Sequence, residues 1–333
     1  MRQIKINNIL RDEVKLFNDN LFTVSRSKGF IHPKTKLIAL VKRIKPVKYK
    51  KYKLYVEKII NEYDDILNAD PSKMQKIIKE FNAILPYPNV KRKITSKRVS
   101  FQEEVVKAMR YEDLRKFEFP LYLQNSNLKT CVYCNAQSTL TIEPVYYNNK
   151  TKKDRRGVNS KLQLDHFYPK SKYPFLSTSF FNLYPTCANC NIAKGEKIAL
   201  FELYTTSDDL DVFNFWIDDK SILDYWLSLN ANHLKVHLQS LDGDIKLLHN
   251  HNELFQIQKV YDAQIDVGEE LIWKVKANPQ SYRKSLNKTF SKIFPDTSVI
   301  DRMIIGNYSK PEETFKRPMS KYTQDIARQL KLI

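Results

Sequence analysis

Two Cys-x-x-Cys pairs, Cys131/Cys134 and Cys187/Cys190, constrain this chain more than any other feature. Each pair lets one tight turn present two thiolates to a tetrahedral ion, and two pairs make one closed site. All four cysteines of the 333 residues lie in these pairs, so none is left to staple the rest of the chain. Disulfides within Cys-x-x-Cys would close short, strained loops, and a dithiol enzyme needs only one pair in a thioredoxin-like context. A structural Zn²⁺ is therefore expected. With no open coordination position such an ion cannot activate water, so the knuckle alone supports a scaffold or a binding module.

Charge narrows the partners. Lys and Arg number 56 against 37 Asp and Glu, a net +19, which points to a polyanion and first to nucleic acid. The excess is regional: residues 1–200 carry 39 basic and 18 acidic side chains, whereas residues 201–333 carry 17 and 19. A basic strip from Lys34 to Lys58, interleaved with Tyr49, Tyr52 and Tyr55, is a candidate phosphate track or simply a solvated face. An acidic strip from Asp208 to Asp219 argues against DNA contact there. No apolar stretch approaches the roughly 20 residues needed to span a bilayer, and the charged start lacks a signal-peptide core, so no membrane role and cytoplasmic residence are expected.

The chain divides into a basic helical region, 1–124, a cysteine-bearing domain, 125–200, and a helical region, 201–333, with a possible partner-docking role. Asp70 followed by Pro71 predicts one helix start, and Ser100 with Glu103 a capping box that opens a helix running up to Pro120. Helices are predicted at Ser221–Leu241, Glu253–Ala277, Ser281–Phe294 and Met319–Leu332, with Trp216, Trp226 and Trp273 read as core in preference to a partner surface. Between these regions lie β-prone runs, Thr139–Tyr147 and Leu162–Phe167. The polar insert Asn148–Ser160 reads as a mobile loop whose Lys152, Lys153, Arg155 and Arg156 are candidates for nucleic-acid contact. The fold class is α+β, mainly helical.

The residues enclosed by the cysteines carry a second pattern: Asp165-His166, Pro169-Lys170-Ser171, Asn182-Leu183, then Cys187-Ala188-Asn189-Cys190-Asn191 and Lys194. This run resembles the zinc-knuckle branch of the HNH endonucleases, with 16 residues from His166 to Asn182 and 9 from Asn182 to Asn191. The resemblance implies a ββα-metal core seated in a treble-clef knuckle, and metal-dependent hydrolysis of DNA to 5′-phosphate and 3′-hydroxyl ends. It assigns His166 as base, Asp165 as an oxygen ligand to the catalytic ion, and Asn182 as the amide that holds the loop and orients the histidine. Asn191 stands where many members carry a second histidine. A carboxamide there favours Mg²⁺ or Mn²⁺ over a softer ion, and a helix cap is the alternative use of the same residue. Lys170 and Lys194 are second-tier candidates for flanking phosphates. Residues adjacent in a regular strand point to opposite faces, so Asp165 and His166 can serve one site only where the strand bends or ends, and an irregularity is expected near Asp165. The long DHFYPKS form with helical flanks further resembles the nuclease subunits of Septu-type bacterial antiviral systems, which work with an ATPase partner. The rival reading is a non-catalytic zinc-dependent nucleic-acid-binding protein, and RNA stays open as the substrate.

Overall fold

A computed structural model describes the chain except for residues 23–29, 46, 96–98, 143–144, 149–152, 157–158, 295 and 297, and gives the backbone alone for 145–148, 153–156 and 159. The fold is α+β and mainly helical, and every sheet among the described residues has two strands. Among the described residues no helix is long and apolar enough to cross a membrane.

Both helix starts read from the sequence form as expected. Asp70 caps Pro71–Ile84 by accepting the Lys73 amide at 3.0 Å, and Ser100 and Glu103 close a capping box on Phe101–Ala108. The second helix stops early. Arg110 adopts φ +64°, after which a short turn, Tyr111–Asp113, runs through the π-helical Leu114–Glu118 into Phe119–Gln124. Pro120 sits in the first turn of that last helix, where a missing N–H costs nothing, so it opens a helix instead of ending one.

The basic strip lies on two helices, Pro33–Arg43 and Lys50–Asn61. Two of its three tyrosines do not stand ready to stack on bases: Tyr52 and Tyr55 are buried against Phe101. Several of its lysines are paired, Lys34 with Asp64 and Lys58 with Glu62 and Glu80. Tyr55 and Phe81 meet Phe175, whose ring stacks on Phe81 at 4.0 Å. The N-terminal helices thereby grip the loop that joins the two central strands.

Those strands, Gln163–His166 and Leu183–Thr186, pair antiparallel, and the helix Ala188–Lys194 follows at once. Register runs unbroken from Gln163 opposite Thr186 to His166 opposite Leu183, with no bend at Asp165, and the strand ends one residue later at His166, the second form the expected irregularity could take. The insert is not the loop expected. Lys153–Arg156 pairs with Val145–Asn148, and Asn159–Lys161 with Leu140–Ile142, because backbone ladders need no apolar side chains and charged residues suit sheet edges.

Beyond residue 200 the predicted helix Ser221–Leu241 covers only Asp219–Ser228. Leu229 at φ +52° ends it, and Val236–Ser240 forms a strand against Phe213–Ile217, with Val236 and Leu238 buried on alternate positions. The predicted helix Glu253–Ala277 is three: Ile245–Phe255, Ile257–Asp262 and Ile265–Ala277, broken first at Gln256, φ +52°. Gln280–Phe290 and Ser320–Gln329 answer to the last two predictions. None of the tryptophans is buried core; Trp273 is 47% exposed, edge-on to Trp226. The ends of the chain meet the middle. Ile4–Lys5 pairs in parallel with Tyr204–Thr205, and Arg2 and Lys5 pair with Asp211 and Asp208 of the acidic strip.

Candidate functional site: a four-thiol cluster beside an Asp-His-Asn cavity

Cys131, Cys134, Cys187 and Cys190 are buried, unpaired as disulfides, and their sulfurs all lie within 4.8 Å of one another. A tetrahedral zinc with Zn–S bonds of about 2.3 Å spaces its thiolates by roughly 3.8 Å, so this donor set is close enough together to hold a metal ion such as zinc. Turn chemistry builds each half. Asn135, at φ +52°, returns its amide to the Cys131 carbonyl at 2.8 Å, and a bridge between Thr130 and Ser138 closes the first turn. Cys187 caps the helix Ala188–Lys194, its sulfur accepting the Cys190 amide. Within the cluster, hydrogen bonds from neighbouring thiols pull the Cys187 and Cys134 thiols down, while burial pushes Cys131 up and its thiol neighbours push Cys190 up.

The same helix places Asn191 directly after a cysteine. Asn191, Asp165 and His166 all line one cavity of about 990 Å³, which Tyr111, Lys170 and Lys107 also border. His166 is 3% exposed and its Nε2 lies 3.0 Å from the Ser177 carbonyl oxygen. A carbonyl only accepts, so Nε2 carries the proton, and Nδ1, with no hydrogen-bond partner among the described residues, is the basic nitrogen. Burial, helped by the Lys170 charge, pushes the imidazole down to about 3, so the ring is neutral at pH 7.

Asn182 does not touch the cavity. Fully buried, it accepts the Tyr168 amide at 2.7 Å and donates to the carbonyls of Tyr168 and Leu176 at 3.2 and 3.0 Å. The residue after Leu176 is Ser177, whose carbonyl fixes the His166 ring. Asn182 thus braces the His166 ring through the loop.

Asp165 and His166 reach different partners from adjacent positions. The Asp165 carboxylate accepts from the Tyr133 hydroxyl at 2.8 Å and pairs with Lys194, whose ammonium lies 3.1 Å from Oδ2 and 2.7 Å from the His166 carbonyl oxygen. Burial pushes the Asp165 carboxyl up and the Lys194 ammonium down. Lys194, expected at a flanking phosphate, is instead 1% exposed and faces this carboxylate. Lys170 is exposed on the cavity wall with its ammonium 5.1 Å from the Tyr111 ring centre. Lys152 lies outside the described residues. Arg155 and Arg156 lie on Lys153–Arg156, where only the backbone is described.

Sequence reasoning missed two tyrosines. Tyr133, inside the first cysteine pair, joins the thiol cluster to Asp165; its position within Cys-x-x-Cys was the available signal. Tyr111 packs its ring 4.6 Å from the His166 ring and donates to the Leu164 carbonyl at 3.0 Å. Nothing in the local sequence marks it, since it comes from the N-terminal region more than fifty residues away.

Asp165 and Asn191 both line this cavity, and a carboxylate and a carboxamide oxygen are hard donors of the kind that could hold a divalent ion. A carboxylate has about four lone-pair sites, so the Tyr133 and Lys194 contacts leave acceptor capacity.

Fold and site together define an α+β protein with a cysteine cluster able to hold a metal ion, set against an imidazole–carboxylate–carboxamide cavity. Among curated proteins, the chain is similar to the Septu protein PtuB of Bacillus thuringiensis, 31% identical over 106 residues, which are 30% of this chain and 34% of that protein. The match thus spans about a third of the relative's length. No family model and no solved structure matches the chain.

Proposed function

We propose that this protein is a metal-dependent HNH endonuclease that hydrolyses DNA phosphodiester bonds, and that it serves a Septu-type antiviral defence system together with an ATPase partner. The observation that carries the reading is the convergence of Asp165, His166 and Asn191 on one cavity, with Nδ1 of a neutral His166 free to accept a proton. On this reading the central hairpin and helix are the ββα-metal core, and the thiol cluster is its structural zinc. His166 Nδ1 takes a proton from water as that water attacks the phosphorus, while the Ser177 carbonyl holds Nε2–H and steadies the imidazolium that forms. Lys170, on the cavity wall, is placed to meet a phosphate flanking the cut. A divalent ion held by Asp165 and Asn191 would stabilise charge on the phosphate and the departing 3′ oxygen. The similarity to a Septu protein supports the defence role and a partner in a complex.

The rival, a zinc-dependent binding module without catalysis, is favoured by one observation: Asp165 already has a cationic partner in Lys194. His166→Ala separates the two. A nuclease loses Mg²⁺-dependent plasmid nicking by at least about 100-fold while keeping zinc content, fold and DNA affinity. Wild-type protein that binds DNA yet leaves plasmid intact with Mg²⁺ and its co-expressed genomic neighbour would establish the binding module. The same assay run on RNA decides the substrate.

A further inference from the structure

The carboxylate that the proposed reaction assigns to a divalent ion is already engaged. Lys194 lies three residues beyond Asn191 on the same helix, so its ammonium and the Asn191 carboxamide project from one face towards the end of the strand that carries Asp165. The ammonium touches both Asp165 oxygens, at 3.1 and 3.3 Å, and is anchored by the His166 carbonyl oxygen at 2.7 Å. Asp165 lines the cavity, whereas the buried Lys194 is not part of its lining.

A second buried pair in this chain makes the contrast. Lys321 and Asp325 lie one turn apart on one helix, and Asp325 also accepts the Phe215 amide at 3.1 Å, which ties helix to hairpin away from the cavity. That pair serves packing. The Asp165–Lys194 pair instead joins strand to helix at the wall where a cation is expected, and an ammonium and a divalent ion drawn to the same two oxygens repel each other.

We propose that Lys194 is a tethered monovalent cation that holds Asp165 in the metal-free protein and keeps its affinity for a divalent ion low, so that the ion enters together with the substrate phosphate. The phosphate supplies the negative charge that lets both cations share one carboxylate. The inference rests on the nuclease reading of Asp165 and deepens it to an order of loading.

Mn²⁺ alone is the probe, titrated by electron paramagnetic resonance into the full-length, zinc-loaded protein. Lys194→Met should bind Mn²⁺ about tenfold or more tightly than wild type, because the competing charge is gone. Asp165→Asn added to that variant should erase the gain, and Lys194→Arg, which keeps the charge, should stay within about threefold of wild type. Should Lys194→Met fail to fold, Lys194→Gln retains a donor to Asp165 without the charge and must show the same direction. A duplex with non-hydrolysable linkages should tighten Mn²⁺ binding more in wild type than in Lys194→Gln. Equal or weaker Mn²⁺ binding in the uncharged variants overturns the proposal. Nicking by the wild type, lost in His166→Ala, would leave the nuclease reading standing in that event; absence of both nicking and Asp165-dependent Mn²⁺ binding removes the two together.

Discussion

Burial sets the behaviour of the two histidines that face the interior. His166 and His251 are each held at about 3, below the ordinary 6.5, so the unfolded chain binds protons that the folded chain refuses between those values. The stability this contributes is complete above pH 6.5 and is lost as pH falls towards 3, at roughly 1.4 kcal/mol per pH unit for each ring. Urea midpoints at neutral and mildly acidic pH should show the fall, and His251→Gln should make it shallower. The nicking rate should likewise keep its plateau down to about pH 5, with no acid limb near the value of an exposed histidine. Asn182 is the second residue whose surroundings fix an outcome. Asn182→Ala strands the Tyr168 amide and two carbonyls around a fully buried position and should cost about 3 kcal/mol by denaturant titration. In a nuclease it should lower kcat more than it raises KM, since it acts on the Ser177 carbonyl and not on substrate.

At the scale of elements, the helix Ala188–Lys194 is only two turns long and would not hold its shape alone. Its first turn is tied to the thiol cluster through Cys187 and Cys190, its last carries Lys194, and Asn191 lies between. A metal in the cluster therefore aims the cavity wall. Cys187→Ser should drop zinc from one atom per chain to none by elemental analysis, and hydrogen exchange at residues 191–194 should speed up while the helix Pro71–Ile84 stays protected. The hairpin Gln163–His166/Leu183–Thr186 gains its register from the same neighbours: Tyr111 fixes the Leu164 carbonyl, and Phe175 docks its connecting loop on Phe81.

Across the whole molecule, residues beyond 200 lean on the turn that carries the first cysteine pair. His251 meets the Tyr133 carbonyl at 2.8 Å, and Tyr261 donates to the Cys134 carbonyl at 2.7 Å. Asn135 donates to the Thr314 carbonyl and accepts the Lys321 amide, each within 2.9 Å. Phe255 stacks on Tyr133, which in turn holds Asp165. Removing residues after 200 should therefore not leave a sound core. Such a fragment should retain less zinc than the full chain after exposure to a chelator and lose its cooperative thermal transition, as calorimetry would show. A fragment that keeps both would mean that these contacts decorate the knuckle without supporting it.

Local sequence was enough for the features that local chemistry decides. The spacing within each cysteine pair and the Asp70-Pro71 and Ser100/Glu103 helix starts could be read because each depends on neighbours a few residues away. Helix ends were less legible: the breaks at Arg110, Leu229 and Gln256 require left-handed backbone that no glycine announces. The strand Val236–Ser240 was masked by a run that also suits a helix until Phe213–Ile217 offers it a ladder. What only the tertiary structure decided is the setting of the site: Tyr111 beside His166, Tyr133 on Asp165, and Lys194 turned inward as an ion pair. Those contacts join residues 29 to 55 positions apart, and their energies come from burial and desolvation, which exist only once the chain has closed around them.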